Sequence, residues 1–417
     1  MSRQGMTTQL VHLDRKNNNI EQGAVHSPTT NSVLYEYEDA QGIIDVFQGK
    51  QAGHVYSRSS SPSVSALQEM INELEGGEGA LCFATGMGAI SSTFLALFRQ
   101  GEHIIVSRYL FGNTRSFMGT LESFGIQISY VDVTKLTEVI DAYQPNTRAV
   151  FCETIANPVT QVADIQSIGR YCKERGILFI VDNTMTPFVI FNAKAMNASL
   201  VVTSLTKYLS GHGNVLGGAV IDTGNYDWQT FPNIQPQYQN GDASQWGLTQ
   251  IKKKGLRDLG ATLAPQSAHA ISIGMETLAL RTQKACDNAL KLATFLASHE
   301  KIERVFYPGL SNHPQHYIAR EHFHDGYGAI LSFTLAKALD VVALLNALEL
   351  VICATHLGDN RTLALPVAAT IYAENTAKER AQMGIDDQMI RLSVGIEDID
   401  DLVSDFSRAL NKFNQPG

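Results

Sequence analysis

The sequence predicts an α/β fold in which a mostly parallel sheet is covered by helices on both faces. Three observations carry this expectation. Between residues 80 and 203, short apolar β-branched runs alternate with stretches of helical apolar spacing. Early in that region a glycine turn, Thr85-Gly86-Met87-Gly88, joins a strand to a helix, a geometry that aims free backbone N–H groups at an anion. At 417 residues the chain is also too long for one simple core, so two or three domains are expected. We divide it into an N-terminal arm (1–64), an α/β domain (65–265) and a smaller C-terminal α/β domain (266–417).

The elements follow in order. Residues 1–64 lack strong periodicity and are rich in Asn, Gln, Ser, Thr and Tyr, which reads as an extended arm. A helix is expected over 63–75, where Val64, Leu67, Met70, Ile71 and Leu74 keep helical spacing. A strand over 80–83, the glycine turn and a helix over 89–98 come next. The uncharged run 79–98 has membrane-spanning length, but its glycines, serines and alanines fit a buried strand, turn and helix better. Further strands are expected at 103–107, 126–131, 149–153, 178–182 and 200–203, with helices at 114–124, 136–142 and 165–175. Residues 226–265 read as an irregular connecting or lid segment, with Lys252, Lys253 and Lys254 as a solvated face. A long helix over 274–299 leads to the second domain. That domain has a strand near 329–334, a helix over 341–348, a strand near 390–393 and a final helix over 399–413. Glu397 and Asp398 suit the start of that last helix.

Sheets of this kind bind ligands at the carboxyl ends of their strands. Gly86, Met87, Phe111, Glu153, Asn157, Asp182 and Lys207 collect there. Lys207 follows a buried strand in the tract Ser204-Leu205-Thr206-Lys207-Tyr208. Burying an unpaired ammonium is costly. A desolvated lysine has a lowered pKa and can form a Schiff base with an aldehyde cofactor; the alternative is a surface lysine at a strand exit. Asp182 is either a turn aspartate satisfied by its own backbone or a carboxylate that pairs with a cationic ring nitrogen. Arg391, inside an apolar strand, needs an anion: an internal salt bridge, or a substrate carboxylate held by its fork. Tyr56 and Arg58 form either a solvated arm contact or an anion clamp.

Composition narrows the function class. The net charge of −9 argues against a general nucleic-acid or anionic-membrane binder. Cys82, Cys152, Cys172, Cys286 and Cys353 form no C-x-x-C pair and no tight cysteine/histidine cluster. Neither a metal site nor a disulfide framework is expected, and a reducing, cytoplasmic compartment fits. Each cysteine reads as a small buried hydrophobe. The polar residues 1–16 show no secretory signal.

The ordered motifs resemble a known family. They are Tyr56-Ser57-Arg58, Thr85-Gly86-Met87-Gly88-Ala89, Glu153-Thr154-Ile155-Ala156-Asn157-Pro158, Val181-Asp182-Asn183-Thr184, Ser204-Leu205-Thr206-Lys207-Tyr208 and Arg391-Leu392-Ser393-Val394-Gly395-Ile396-Glu397. Over nearly the whole chain they are similar to the Cys/Met-metabolism family of pyridoxal-phosphate enzymes. That family includes cystathionine γ-synthase, cystathionine lyases, methionine γ-lyase and the O-acyl-homoserine sulfhydrylases. The resemblance implies PLP fold type I (aspartate-aminotransferase-like), with a mostly parallel seven-stranded sheet. It implies pyridoxal 5'-phosphate joined to Lys207, with Asp182 on the pyridine nitrogen and Asn157 near the ring hydroxyl. Gly86, Met87, Ser204 and Thr206 would hold the phosphate. Tyr56 and Arg58 would complete that site from a neighbouring subunit, giving a homodimer or homotetramer with shared sites. Arg391 would take the substrate α-carboxylate, with His356 and Tyr56 also facing the substrate.

Two departures from the family bear on the reaction. The tyrosine that usually stacks on the ring is Phe111, within Leu110-Phe111-Gly112-Asn113-Thr114; it can stack but cannot relay a proton. Asn113 stands where methionine γ-lyases usually have cysteine. The family's S-L-G tract is Thr355-His356-Leu357-Gly358, so His356 replaces a serine that helps fix the lysine and substrate. It is either a proton-handling group or a packed histidine. The tracts Gly255-Leu256-Arg257-Asp258-Leu259-Gly260 and Gly274-Met275-Glu276-Thr277-Leu278 look sulfhydrylase-like. The implied reaction is γ-replacement on an O-acyl-L-homoserine by sulfide, giving homocysteine, as an O-acetylhomoserine sulfhydrylase of methionine biosynthesis would do. Cystathionine γ-synthase, methionine γ-lyase and a catalytically idle, cofactor-holding regulatory protein are the alternatives. The reaction needs no metal.

Overall fold

The computed structural model describes residues 4–16, 23–336 and 339–412. Two sheets organise it. The first comprises β1 (Gly79–Phe83), β2 (His103–Ser107), β3 (Gln127–Val131), β4 (Thr147–Glu153), β5 (Leu178–Asp182), β6 (Leu200–Thr203) and β7 (Gly218–Asp222). Its seven strands lie in the order β1-β7-β6-β5-β4-β2-β3, and only β7 runs against its neighbours. The chain order reverses around β2, which pairs with both β3 and β4. Such a reversal opens a crevice at the carboxyl ends of the strands. The central strands β5 and β6 are near-continuous apolar runs because helices cover both faces. The seven-stranded, mostly parallel architecture agrees with the expectation.

The second sheet comprises β8 (Ile302–Phe306), β9 (Ile330–Leu335), β10 (Ile352–Cys353), β11 (Leu363–Pro366) and β12 (Met389–Ser393), in the order β10-β11-β12-β9-β8. β12 lies between β11 and β9, so Arg391 sits mid-sheet opposite Leu365 and Ser332. That central position buries it.

Several local expectations are corrected. The arm is not extended throughout, since helices form at Met6–Lys16 and Ala40–Phe47. The first buries Leu10 and Leu13 in the same core as Leu292 and Leu296 of helix Leu278–Ala297. So short a helix is held by tertiary packing and leaves little periodicity to read. The long helix expected over 274–299 starts later, at Leu278, and runs to Ala297, and an unexpected separate helix, Pro265–Met275, precedes it. β7, β8, β10 and β11 were not expected. β7 begins in a glycine tract because a Cβ on Gly218 would lie 2.2 Å from the Thr85 carbonyl oxygen. The segment 226–265 holds three short 3-10 turns and a helix, Trp246–Gln250, continuing into a π-helical turn, Ile251–Arg257. Lys252, Lys253 and Lys254 are therefore half-buried, not a solvated face, and burial together with Lys253 lowers the Lys252 pKa. Four cysteines are buried as expected, but Cys353 is exposed on the short strand β10. No helix among the described residues is long and apolar enough to cross a membrane; 79–98 is spanned by β1, the turn and helix Gly86–Leu97.

Glu75 ends helix Pro62–Glu75 in the core, where Asn183 Nδ2 donates to its Oε1 at 2.8 Å. Burial raises its pKa to about 7, against the opposing pull of that hydrogen bond. Between its ordinary value and 7 the folded protein therefore binds the extra proton, so this group's contribution to stability falls as pH rises through that window. Glu75→Gln keeps the acceptor and removes the charge. At pH 8 it should be more stable than the parent by about 2 kcal/mol, with little difference at pH 5, in urea unfolding at both pH values.

Candidate active site

The turn after β6 carries Lys207. Arg281 fixes that turn from helix Leu278–Ala297, donating to the carbonyls of Tyr208 (2.9 Å), Leu209 (3.2 Å) and Gly274 (2.7 Å). From the other side the loop holding His356 is pinned by Gly358, whose N–H donates to Ser393 Oγ at 2.9 Å. Gly358 has φ +71°, and a Cβ there would meet the Tyr208 nitrogen at 2.7 Å, so the close approach needs glycine. These supports place Lys207 Nζ 3.3 Å from His356 Nδ1. Burial, then the Arg391 charge, lowers the Lys207 pKa to about 8. Burial, then the Lys207 ammonium, holds the His356 imidazole down at about 4. Neither side chain sits as a surface group.

An anion cradle faces this amine. Helix Gly86–Leu97 starts at the glycine turn, where Thr85 Oγ1 accepts the Gly88 N–H at 2.8 Å. Helix geometry leaves the Gly86 and Met87 N–H groups without carbonyls within the helix. Ser204 abuts this turn: a Cβ on Gly86 would lie 2.9 Å from Ser204 Cβ and 3.1 Å from its Oγ. Thr206 is turned toward Gly217, donating to its carbonyl (3.1 Å) and accepting its N–H (3.0 Å). Tyr56 and Arg58 are exposed; Arg58 lies over the Tyr56 ring and donates to the Arg257 carbonyl at 3.1 Å.

Asp182 ends β5 directly beside Glu153 at the end of β4. Asp182 Oδ1 accepts the Thr184 N–H at 2.8 Å, so it is partly satisfied by its own turn. Burial raises both carboxyls; for Glu153 the Asp182 charge adds to it. Glu153 Oε1 also accepts the Phe111 N–H at 2.7 Å, which anchors the start of helix Gly112–Ser123 and leaves the Phe111 ring 37% exposed. Thr114, one turn on, donates to Met87 Sδ at 3.8 Å.

Arg391 is 2% exposed and, among the described residues, no carboxylate pairs with it. It donates to the Thr355 and His356 carbonyls, both at 3.0 Å, and to Asn157 Oδ1 at 3.4 Å, while its Nε has no partner. The internal salt bridge is thus absent among the described residues. Tyr372 holds Asn157 in turn, donating to its carbonyl at 3.0 Å. The structure thus links Lys207, His356, Arg391 and Asn157 in one chain of contacts, and Phe111, Glu153 and Asp182 in another. The sequence places Glu153 among the strand-end candidates without a specific role, and singles out neither Arg281 nor Tyr372. A lone arginine on the apolar face of a helix was the signal available for Arg281.

The donor set fits pyridoxal phosphate. An amine of depressed basicity suits an aldehyde, a free helix N-terminus suits a phosphate, and a buried Glu153 beside a half-buried Asp182, neither with a basic partner among the described residues, suits a protonated ring nitrogen.

The chain is similar to known proteins over nearly its whole length. The family model "Cys/Met metabolism PLP-dependent enzyme" matches residues 7–411. An L-methionine gamma-lyase of Fusobacterium nucleatum subsp. polymorphum is 36% identical over 413 residues, 98% of each chain. An O-acetyl-L-homoserine sulfhydrylase of Corynebacterium glutamicum is 34% identical over 419 residues, covering 96% of this chain and 95% of that one. A Campylobacter jejuni structure holding N'-pyridoxyl-lysine-5'-monophosphate superposes with a TM-score of 0.90 at 30% identity, over 97% of this chain and 99% of the other. The fold is therefore PLP fold type I, and the chain belongs to the Cys/Met metabolism family of enzymes that depend on pyridoxal phosphate.

Proposed function

We propose that the enzyme replaces the acyloxy group of an O-acyl-L-homoserine with sulfide, forming homocysteine. The observation that carries this is Phe111. A thiolate leaves Cγ poorly unless a general acid protonates it, whereas a carboxylate leaves without a proton. The side chain at the crevice mouth has no proton to give, which favours an ester over methionine as substrate.

In this reading Lys207 carries the cofactor, which supplies an electron sink for the substrate carbanion. Arg391 takes the α-carboxylate in its fork. Lys207 would accept the Cα proton and handle the proton transfers at Cβ. Asp182 would keep the ring nitrogen protonated, and Phe111 would supply an apolar surface for the ring. Gly86, Met87, Ser204 and Thr206 would hold the phosphate. Elimination from methionine is the second reading, favoured by the identity to methionine γ-lyases. Purified enzyme should form homocysteine from O-acetylhomoserine and sulfide. Ammonia from methionine without homocysteine from the ester would establish the lyase instead.

The exposure of Tyr56 and Arg58 supports a site completed by a second subunit. Arg58→Ala and Lys207→Ala should each be nearly inactive alone. Mixed and reassorted, they should recover about a quarter of the parent activity, because half of random dimers are mixed and each has one intact site. No recovery would place Arg58 in its own subunit's site.

A further inference from the structure

Outside the active site, Asp14, His26 and Glu276 bring three ligating atoms together, all within 4.8 Å of one another. His26 Nδ1 lies 3.2 Å from Glu276 Oε1 and 3.7 Å from Asp14 Oδ2. An ion at the centre of that triangle would be roughly 1.9–2.4 Å from each atom, which brackets the zinc–nitrogen and zinc–oxygen bond lengths of about 2.0–2.2 Å. A cavity lined by all three residues also receives a second imidazole, His269, from the helix that precedes Glu276.

The neighbouring backbone holds these groups in place. Asp14 is 7% exposed, near the end of helix Met6–Lys16. Ser27 Oγ donates to the Asp14 carbonyl at 2.8 Å, which keeps His26 beside it. The Thr30 N–H donates to Ser63 Oγ at 2.8 Å, and that hydroxyl donates to the Pro28 carbonyl at 3.3 Å, so this part of the arm is fixed to helix Pro62–Glu75. Glu276 stands in the break between helices Pro265–Met275 and Leu278–Ala297.

The donor set selects the ion. Calcium and magnesium favour shells of oxygen, whereas an imidazole nitrogen among carboxylates suits zinc and its transition-metal neighbours. A dication also offsets the repulsion between two carboxylates, which a neutral imidazole between them does not. We propose that Asp14, His26 and Glu276 bind a divalent transition-metal ion, best matched by zinc, that clasps the N-terminal arm to the helix break behind the Lys207 turn. The connection to that turn is direct. Gly274, two residues before Glu276, packs on the Ser210 backbone and gives its carbonyl to Arg281. The ion is structural and takes no part in the reaction. Residue spacing could not show it, because Glu276 is remote in the chain from Asp14 and His26.

Metal-stripped holoenzyme should take up about one zinc ion per chain in equilibrium dialysis, and excess magnesium or calcium should not displace it. Zinc should raise the melting temperature by about 3 °C or more. His26→Ala and Glu276→Gln change partly exposed side chains, so both variants should fold. Each should bind zinc at least about tenfold more weakly, since even an outer-shell partner of a metal is worth that much, and each should lose the thermal shift. Cys353→Ser removes the exposed thiol and should keep both properties. Undiminished zinc uptake in His26→Ala and Glu276→Gln would overturn the proposal, as would a parent that takes up no zinc. Loss of uptake in Cys353→Ser alone would also overturn it, by placing the ion at that thiol. None of these readouts depends on turnover, so the inference stands or falls apart from the reaction assignment.

Discussion

Lys207→Ala should lower turnover by about a thousandfold or more, because it removes both the covalent attachment and the base. The parent should be yellow, and borohydride should fix the cofactor to the chain; in the variant the cofactor should wash out after the same treatment. The depressed basicity of Lys207 adds a second signature. Burial and Arg391 bring its pKa from 10.5 to about 8, so a working fraction is neutral near physiological pH. The kcat profile should rise with pH and level off above about 8. A variant retaining a tenth of the parent rate would show that the base is another group.

Arg391→Leu should raise KM for the amino-acid substrate by about thirtyfold to several thousandfold. That range corresponds to the 2–5 kcal/mol lost when one partner of a buried, hydrogen-bonded charge pair is removed. Arg391 sits mid-sheet with no carboxylate among the described residues, and its guanidinium pKa is held down to about 10 by burial. It is thus poised for an incoming anion. Steady-state kinetics with the ester, beside binding of an amine analogue that lacks the carboxylate, separates clamp from scaffold. If the clamp reading holds, the analogue binds parent and variant alike. Arg391→Lys should recover only part of the loss, because a point charge lacks the bidentate fork.

Much of the sheet was legible because its strands are uninterrupted apolar runs between turn residues. β2, β5 and β6 fall on the expected residues. β7 was not, because its first residue is a glycine chosen for contact with the Thr85 carbonyl, a neighbour far away in the chain. β8 was hidden by its composition: Ile302–Phe306 is half-exposed and carries Glu303 and Arg304. The break in the expected 274–299 helix has a tertiary cause as well. Gly274 packs on the Ser210 backbone, and Arg281 reaches across the break to the turn that holds Lys207.

The sequence by itself determined the sheet's parallel rhythm, the family and the residue types gathered at the strand ends. These depend on local periodicity and on short motifs, which one strand or turn contains whole. Only the tertiary structure decided how the site is charged. Lys207 loses basicity because Arg391 and the core surround it, Glu153 and Asp182 share one negative environment because β4 and β5 pair, and His356 meets Lys207 because Gly358 lets two loops touch. Desolvation and Coulomb interaction depend on distances between residues remote in the chain, and those distances exist only once it has folded.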